Sequence, residues 1–464
     1  MAFTLPDEVI DWVAATTGGT VVMSDRKPGG ARKEAWFVDI QLPDGTIDEL
    51  FLRFDRSDTD PLDDPWTLQR EAQVYVALQG TEVPVPTVHA VHPTLQAMLS
   101  ERIVAENWFN RITEEAERVS TARHFMECLA ALHRIDPASL DLPGFPEPTS
   151  VADMVRYELA EWETILSTRG GEVDPMLRFS MDWLARNIPD YDGPVVLVQG
   201  DTGPGNFLYE NGRVLAVVDW ELAHLGDPMD DIAWLALRAT QEELPDFPAL
   251  LAEYAELSGN AIDAKRVHYY EVMAEAKLQV MRHRPPAADD EESKQGTADA
   301  GNGLIYGTLH RRLWLEALGA ALEVEAPTID LGDSAQRSPN AWLYDAILGD
   351  LKDVIVPRID DPLAKQRAKG LARIIKYLGQ IDELGPRFDA DELRELTELL
   401  GAEPASLSEA RRQLVAEVRA GSISDEAYLK ALWRRALRDT EVMRPSMGVL
   451  ANRHWPQLTS KEDS

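Results

Sequence analysis

Asp201, Asn206 and Asp219 lie within "VVLVQGDTGPGNFLYENGRVLAVVDWELAHLGDP", where three short apolar runs are punctuated by oxygen-bearing side chains. Two carboxylates and a carboxamide at that spacing can hold a divalent cation and move a proton. Asn211-Gly212, between "NFLYE" and "RVLAVVD", signals a hairpin, because both residues tolerate the positive φ of a type I′ turn. A two-residue loop there makes partner numbers sum to 423, so that Asn206 faces Val217. Val217 and Asp219 share a strand face, which makes Asn206 and Asp219 diagonal neighbours with Cβ atoms about 7–8 Å apart. Oxygen ligands across that gap suit Mg²⁺, which takes one or two protein groups plus substrate phosphates. The strand "PVVLV" ends at Gln199, and the tight turn "GDTGPG" delivers Asp201 to the same edge. A carboxylate beside a two-ligand metal site is what in-line phosphoryl transfer uses. It orients the accepting hydroxyl and takes its proton, while the metal neutralises charge between the phosphates. One such residue beside a strand is ordinary turn chemistry. Three at correlated positions, followed by "GDPMDD", point to a site.

The elements that must position these residues fall into three regions. After an opening helix, residues 20–104 alternate strand-like runs ("TVVMS", "AWFVDI", "ELFLRF", "LQAML") with turns, around one helical stretch, "PWTLQREAQVYVAL". Residues 120 to about 324 are mainly helical, with the quoted strands set among the helices. The acidic, small and polar run between Arg284 and Asn302 reads as a loop. From residue 329 onward, amphipathic segments divided by Gly and Pro predict a helical extension; Ser406 and Glu409 have the spacing of a capping box. The expected domains are therefore 1–104, 105–328 and 329–464. The fold class is α+β, a small β-rich lobe followed by a mainly helical one.

Composition narrows the partners. Eighty acidic residues against 46 basic ones give a formal charge of -34, which opposes a sequence-independent hold on nucleic acid or an anionic membrane. The single Cys128 excludes an internal disulfide and fits a reducing compartment. The first residues carry acid where a secretory signal wants base, and no run approaches the ~18 apolar residues of a membrane span. The sequence reads as that of a cytoplasmic protein. No Walker A or G-x-G-x-x-G motif occurs, nor the motifs of serine hydrolases or zinc proteases.

The segments "QGDTGPGNF", "VVDWELAHLGDPMDDIAW" and "AALHRID" resemble the aminoglycoside phosphotransferase superfamily, small-molecule relatives of the protein kinases. The closer likeness is to the branch found with acyl-CoA dehydrogenase-like proteins, and it covers roughly residues 15–325. The resemblance implies a protein-kinase-like two-lobe fold, with Asp201 as catalytic base and Asn206 and Asp219 as Mg²⁺ ligands. It implies that Asp231 braces the catalytic loop and that Glu221 supports the metal at one remove. Gln199 stands where the family has a scaffolding His, and Arg53 where it has a phosphate-pairing Lys. Arg53 can still grip phosphate and pair with Glu71. Gly29 and Gly30 are placed to cover phosphates with backbone N–H groups. "MLSERI" resembles the segment linking the two lobes, which puts Glu101 and Ile103 beside the nucleotide. The implied co-substrate is ATP or GTP with Mg²⁺, and the acceptor is a hydroxyl of a small metabolite such as a hydroxyacyl-CoA. An aminoglycoside-type antibiotic is the alternative acceptor. A nucleotide-binding pseudokinase, motivated by Gln199, Arg53 and the long tail, is the alternative in kind. The extension is a candidate homodimer element.

Overall fold

The computed structural model describes residues 4–27, 33–55, 65–283, 297–331 and 337–459. Gly29 and Gly30 lie outside them. The chain divides into two compact units. The first comprises Met1–Thr168, Ala185–Tyr270 and Pro456–Ser464, and the second Arg169–Leu184 and Glu271–Trp455.

In the first unit, α1 (Asp7–Thr17) precedes β1 (Thr20–Lys27), β2 (Glu34–Gln41) and β3 (Ile47–Phe54). Helix α2 (Leu68–Leu78) then leads to β4 (Val88–Val91) and β5 (Ala97–Glu101). The five strands form an antiparallel sheet in the order β1-β2-β3-β5-β4. Period-two alternation buries Trp36, Val38 and Ile40 of β2 with Leu50, Leu52 and Phe54 of β3, against Val9 and Val13 of α1. Each such apolar side chain contributes about 1.5–3 kcal/mol on burial. Thr67 caps α2, its hydroxyl accepting from Arg70 N at 3.1 Å, and turns Glu71 and Tyr75, one helical turn apart, inward.

The helical part of this unit contains α3 (Glu115–Arg134) and nearly all of α4 (Val151–Arg169). The chain continues through α5 (Pro175–Arg186), most of which belongs to the second unit. It returns to β6 (Val196–Val198), β7 (Phe207–Glu210), β8 (Arg213–Val217), β9 (His224–Gly226), α6 (Pro228–Gln241) and α7 (Phe247–Ser258). Strand β6 pairs with β9, and β7 with β8. Cys128 is buried on α3, and burial pushes its thiol up to about 12.

The β7–β8 turn is as expected at Asn211 and Gly212, both with positive φ, but the register is not. Glu210 faces Arg213 and Tyr209 faces Val214, yet Leu208 faces Ala216 and Phe207 faces Val217. Leu215 is an extra residue, a β-bulge. The predicted Asn206–Val217 pairing is therefore wrong by one residue: Val218 N donates to Asn206 O at 2.9 Å. Asp219 leaves the strand with φ 65°, a left-handed conformation that costs a non-glycine residue about 1–3 kcal/mol and persists only where its surroundings enforce it.

The second unit gathers α5 with α9 (Thr297–Leu322), α10 (Ala341–Asp350), α11 (Pro362–Leu400), α12 (Leu407–Arg419) and α13 (Asp425–Met447). The preceding α8 (Ala264–Arg282) crosses the boundary between the units. Helices α9, α11 and α13 pack on one another. Ser406 caps α12 as its spacing predicts, accepting from Glu409 N at 3.2 Å, while Glu409 Oε2 accepts from Ala405 N at 2.9 Å. One expectation fails here: residues 297–302, read as loop, form the first turns of α9. Gly401 ends α11 before α12, while Pro386 lies inside α11. Proline removes one helical N–H and crowds the preceding turn, and packing against α9 and α13 outweighs that local cost.

Candidate active site

All of the described site residues belong to the first unit. The loop between β6 and β7 carries Gln199 to Asn206, and its shape is set by one buried carboxylate. Asp231, in the first turn of α6, accepts from Gln199 N at 2.9 Å and Gly200 N at 3.0 Å, and from the Thr202 hydroxyl. His133 Nε2 donates to it at 2.9 Å, while the Tyr254 hydroxyl donates to His133 Nδ1 at 2.6 Å. Four donors compensate a carboxylate that has no solvent exposure, which ties the loop to α3 and α6. Gly200 is required at its position, because its φ is 81° and a Cβ would lie 2.4 Å from Leu222 O. Gln199 also anchors the next segment, donating from Nε2 to Val218 O at 2.8 Å.

Asp201 stands at the apex of this loop. Arg238 grips it in bidentate fashion, Nε to Oδ1 at 2.8 Å and Nη2 to Oδ2. Asn206 Nδ2 donates to Asp201 O at 2.7 Å and to Oδ2 at 2.8 Å. Burial pushes the Asp201 carboxyl above the usual carboxylate range, and the Arg238 guanidinium only partly offsets this. The side chain retains 19% exposure, so it can be reached from solvent.

Asp219 is held from two sides. Tyr75 of α2 accepts its backbone N–H at 3.1 Å, which fixes the left-handed residue, and Arg53 donates to Oδ1 at 3.2 and 3.3 Å. Burial alone would raise this carboxyl, but Arg53 and Lys33 outweigh it and hold it below its usual range. Oδ2 of Asp219 and the carboxamide oxygen of Asn206 make no hydrogen bond with the described residues. Two available hard oxygens, from a carboxylate and an amide, are a donor set that fits Mg²⁺.

Glu71 is 1% exposed and serves two cations. Oε1 accepts from Arg53 at 2.7 Å and Oε2 from Lys33 at 3.0 Å. Lys33 Nζ also lies 2.8 Å from Glu221 Oε2. Burial opposes the charge on Lys33, but Glu71 and Glu221 together raise its affinity for the proton. The Glu221 carboxyl is pushed up by burial and by Asp219. Glu101 ends β5 and pairs with Thr87, with Ile103 two residues beyond; neither hydrogen-bonds into this cluster.

The structure thus brings together Gln199, Asp201, Asn206, Asp219, Glu221, Asp231, Arg53 and Glu71. Four groups were not anticipated. Arg238 sits seven residues after Asp231, two turns along the same face of α6, so the helical period carried a signal for it. Lys33 precedes Ala35, which pairs with Arg53, so the strand period places Lys33 and Arg53 on one face. Tyr75 is one turn from Glu71. His133 lies inside "AALHRID", but nothing local marks its partner.

Residues 28–275 match the phosphotransferase enzyme family. Acyl-CoA dehydrogenase family member 11 of Rattus norvegicus is 31% identical over 180 residues, which cover 37% of this chain and 23% of that protein. Acyl-CoA dehydrogenase family member 10 of Mus musculus is 26% identical over 180 residues, 37% of this chain and 16% of that protein. The chain thus matches about a quarter or less of the length of these relatives. Among solved structures, a thermostable mutant of the aminoglycoside phosphotransferase APH(4)-Ia, in ternary complex with ADP and hygromycin B, aligns with a TM-score of 0.44 at 17% identity. That alignment covers 68% of this chain and 97% of the other.

Proposed function

From the premise that this chain belongs to the phosphotransferase enzyme family, we propose that it transfers the terminal phosphoryl group of ATP to a hydroxyl of a small metabolite. One observation carries the reading: Asn206 hydrogen-bonds the Asp201 carboxylate while its amide oxygen and Asp219 Oδ2 remain available. Base and metal ligands are thereby coupled in one unit. Asp201 is the base. It orients the acceptor hydroxyl and takes its proton as the oxygen attacks phosphorus and the bond to the ADP oxygen breaks. Asn206 and Asp219 would hold Mg²⁺, which when bound neutralises charge between the phosphates. Arg53 and Lys33, kept charged by Glu71, face the phosphates of the nucleotide. Arg238 holds the base in one rotamer and offsets part of its desolvation. Asp231 positions the loop without touching the reacting atoms.

The finer reading of the acceptor is a hydroxyacyl-CoA, supported by the names of the relatives. The test is transfer from γ-labelled ATP with Mg²⁺ to hydroxyacyl-CoA thioesters, free hydroxy acids and aminoglycosides, with Asp201→Asn as the blank. Labelling of the thioesters alone, lost in the variant, is the expected result. Labelling of aminoglycosides alone would replace the acceptor and leave the reaction standing. Mg-ATP binding with no acceptor labelled would favour a nucleotide-binding regulatory module.

Exposed apolar side chains on α10 (Trp342, Leu343, Ile347) and α11 (Leu363, Leu371, Leu378) support self-association through the extension. Sedimentation of the full chain should give a dimer mass that Trp342→Ser with Ile347→Ser reduces to the monomer. A monomer in both cases would remove the idea.

A further inference from the structure

The second unit contains a cavity of about 630 Å³ between the start of α5, α9, the end of α11, α12 and α13. Its chemistry is the inverse of the whole chain's. Six arginines line it, Arg178, Arg311, Arg411, Arg412, Arg419 and Arg435, against three carboxylates, Glu172, Asp174 and Glu392. In a protein of formal charge -34, a surplus of three cations around one cavity is not what average composition produces.

Two of the six are committed. Arg411 grips Glu392 in bidentate fashion at 2.8 and 2.6 Å, and Arg311 pairs with Asp174. Arg178 is also partnered, Asp182 lying 3.9 Å from it, and Arg435 lies 4.0 Å from Asp439, at the limit of an ion pair. Arg412 donates to the Ser408 hydroxyl at 2.9 Å, and Arg419 makes neither hydrogen bond nor ion pair with the described residues. Apart from Ser408 and the Tyr428 hydroxyl, the rest of the lining is apolar. Leu396, Leu414, Leu432 and Tyr428 contribute to it, and Phe179 meets the Tyr428 ring edge-on at 5.3 Å.

We propose that this cavity binds a small organic phosphate, its phosphate held by Arg412, Arg419 and their neighbours and its body lying on the apolar lining. Guanidinium forks match phosphate oxygens in pairs, and several together favour a dianion over a monoanion. The volume lies in the range of small-molecule sites and exceeds what a bare phosphate would fill.

The test uses 1-naphthyl phosphate as a fluorescent probe on the full chain, with 1-naphthoate and 1-naphthol as monoanionic and neutral counterparts. The phosphate should bind saturably, at least tenfold more tightly than either counterpart, and saturating Mg-ATP should not displace it. Arg412→Glu with Arg419→Glu should weaken it tenfold or more. If the melting temperature of that variant falls, Arg412→Gln with Arg419→Gln replaces it, and the same loss is expected. Equal binding of naphthoate or naphthol, equal binding by the folded variant, displacement by Mg-ATP or no saturable binding would each overturn the proposal.

Discussion

The two units handle charge in opposite ways. At the centre of the first, Glu71, Asp201, Asp219 and Glu221 outnumber Lys33, Arg53 and Arg238, in pairs that are at least part-buried. In the second, six guanidiniums surround a cavity with three carboxylates, and several of them reach solvent. A surplus of carboxylate oxygen calls for a divalent cation, and a surplus of guanidinium calls for an anion. Net charge therefore reports on what the whole surface repels, while the local balance selects the ligand.

The largest expected effect comes from removing the proposed base. Asp201→Asn should lower phosphate transfer by about 10²–10⁴-fold while nucleotide binding persists, read by single-turnover transfer beside calorimetry. Transfer at the wild-type rate would break the acid-rich half of the comparison. Next is Arg53→Ala, which leaves Asp219 without its guanidinium and Glu71 with Lys33 alone. Loss of charge-assisted hydrogen bonds worth about 1.5–3 kcal/mol should raise KM for ATP roughly tenfold or more. Lys33→Ala should do less, because Lys33 acts on Asp219 only through its charge and makes no hydrogen bond to it.

Arg238→Gln sharpens the contrast through pH. The Asp201 carboxyl already lies above the usual carboxylate range because it is buried, and the guanidinium pulls it down. A base must be deprotonated, so in the proposed role rate is lost as pH falls through that raised value. Without Arg238 the carboxyl rises further, and the acid limb of the rate profile should move to higher pH. A limb that stays in place would show that Arg238 acts on geometry alone. The smallest effect is that of salt. Going from 0.05 to 0.5 M NaCl should weaken naphthyl phosphate binding by about two- to fivefold at the exposed arginines, with less change in the Arg53-dependent KM, because buried pairs are less screened.

Most of the first unit was legible because its signals are local. Alternating apolar residues marked β2 and β3, Asn211-Gly212 marked the β7–β8 turn, and Asp201, Asn206 and Asp219 stood at strand ends. The Leu215 bulge was not legible, since an exposed leucine in a strand reads like any other and only three-dimensional pairing shows it to be extra. Lys33, Tyr75 and Arg238 had periodic cues, but their partners lie 38, 144 and 37 residues away. Long-range pairs of this kind follow from the fold, not from spacing. Pro386 shows the same limit of local signals: propensity names a helix breaker, and packing across α9, α11 and α13 overrules it.

The lone cysteine has a practical consequence. Cys128 sits in the middle of α3, whose His133 reaches Asp231, and a thiol pushed up to about 12 supplies almost no thiolate near neutrality. An alkylating reagent can then modify it efficiently only after α3 opens. With no second thiol to confuse the count, the rate of mass gain under such a reagent is a stopwatch for the opening of the helix that braces the loop carrying Asp201. It could be read on the unaltered protein, and slowing on addition of a nucleotide or an acceptor would mark a ligand that holds that helix closed.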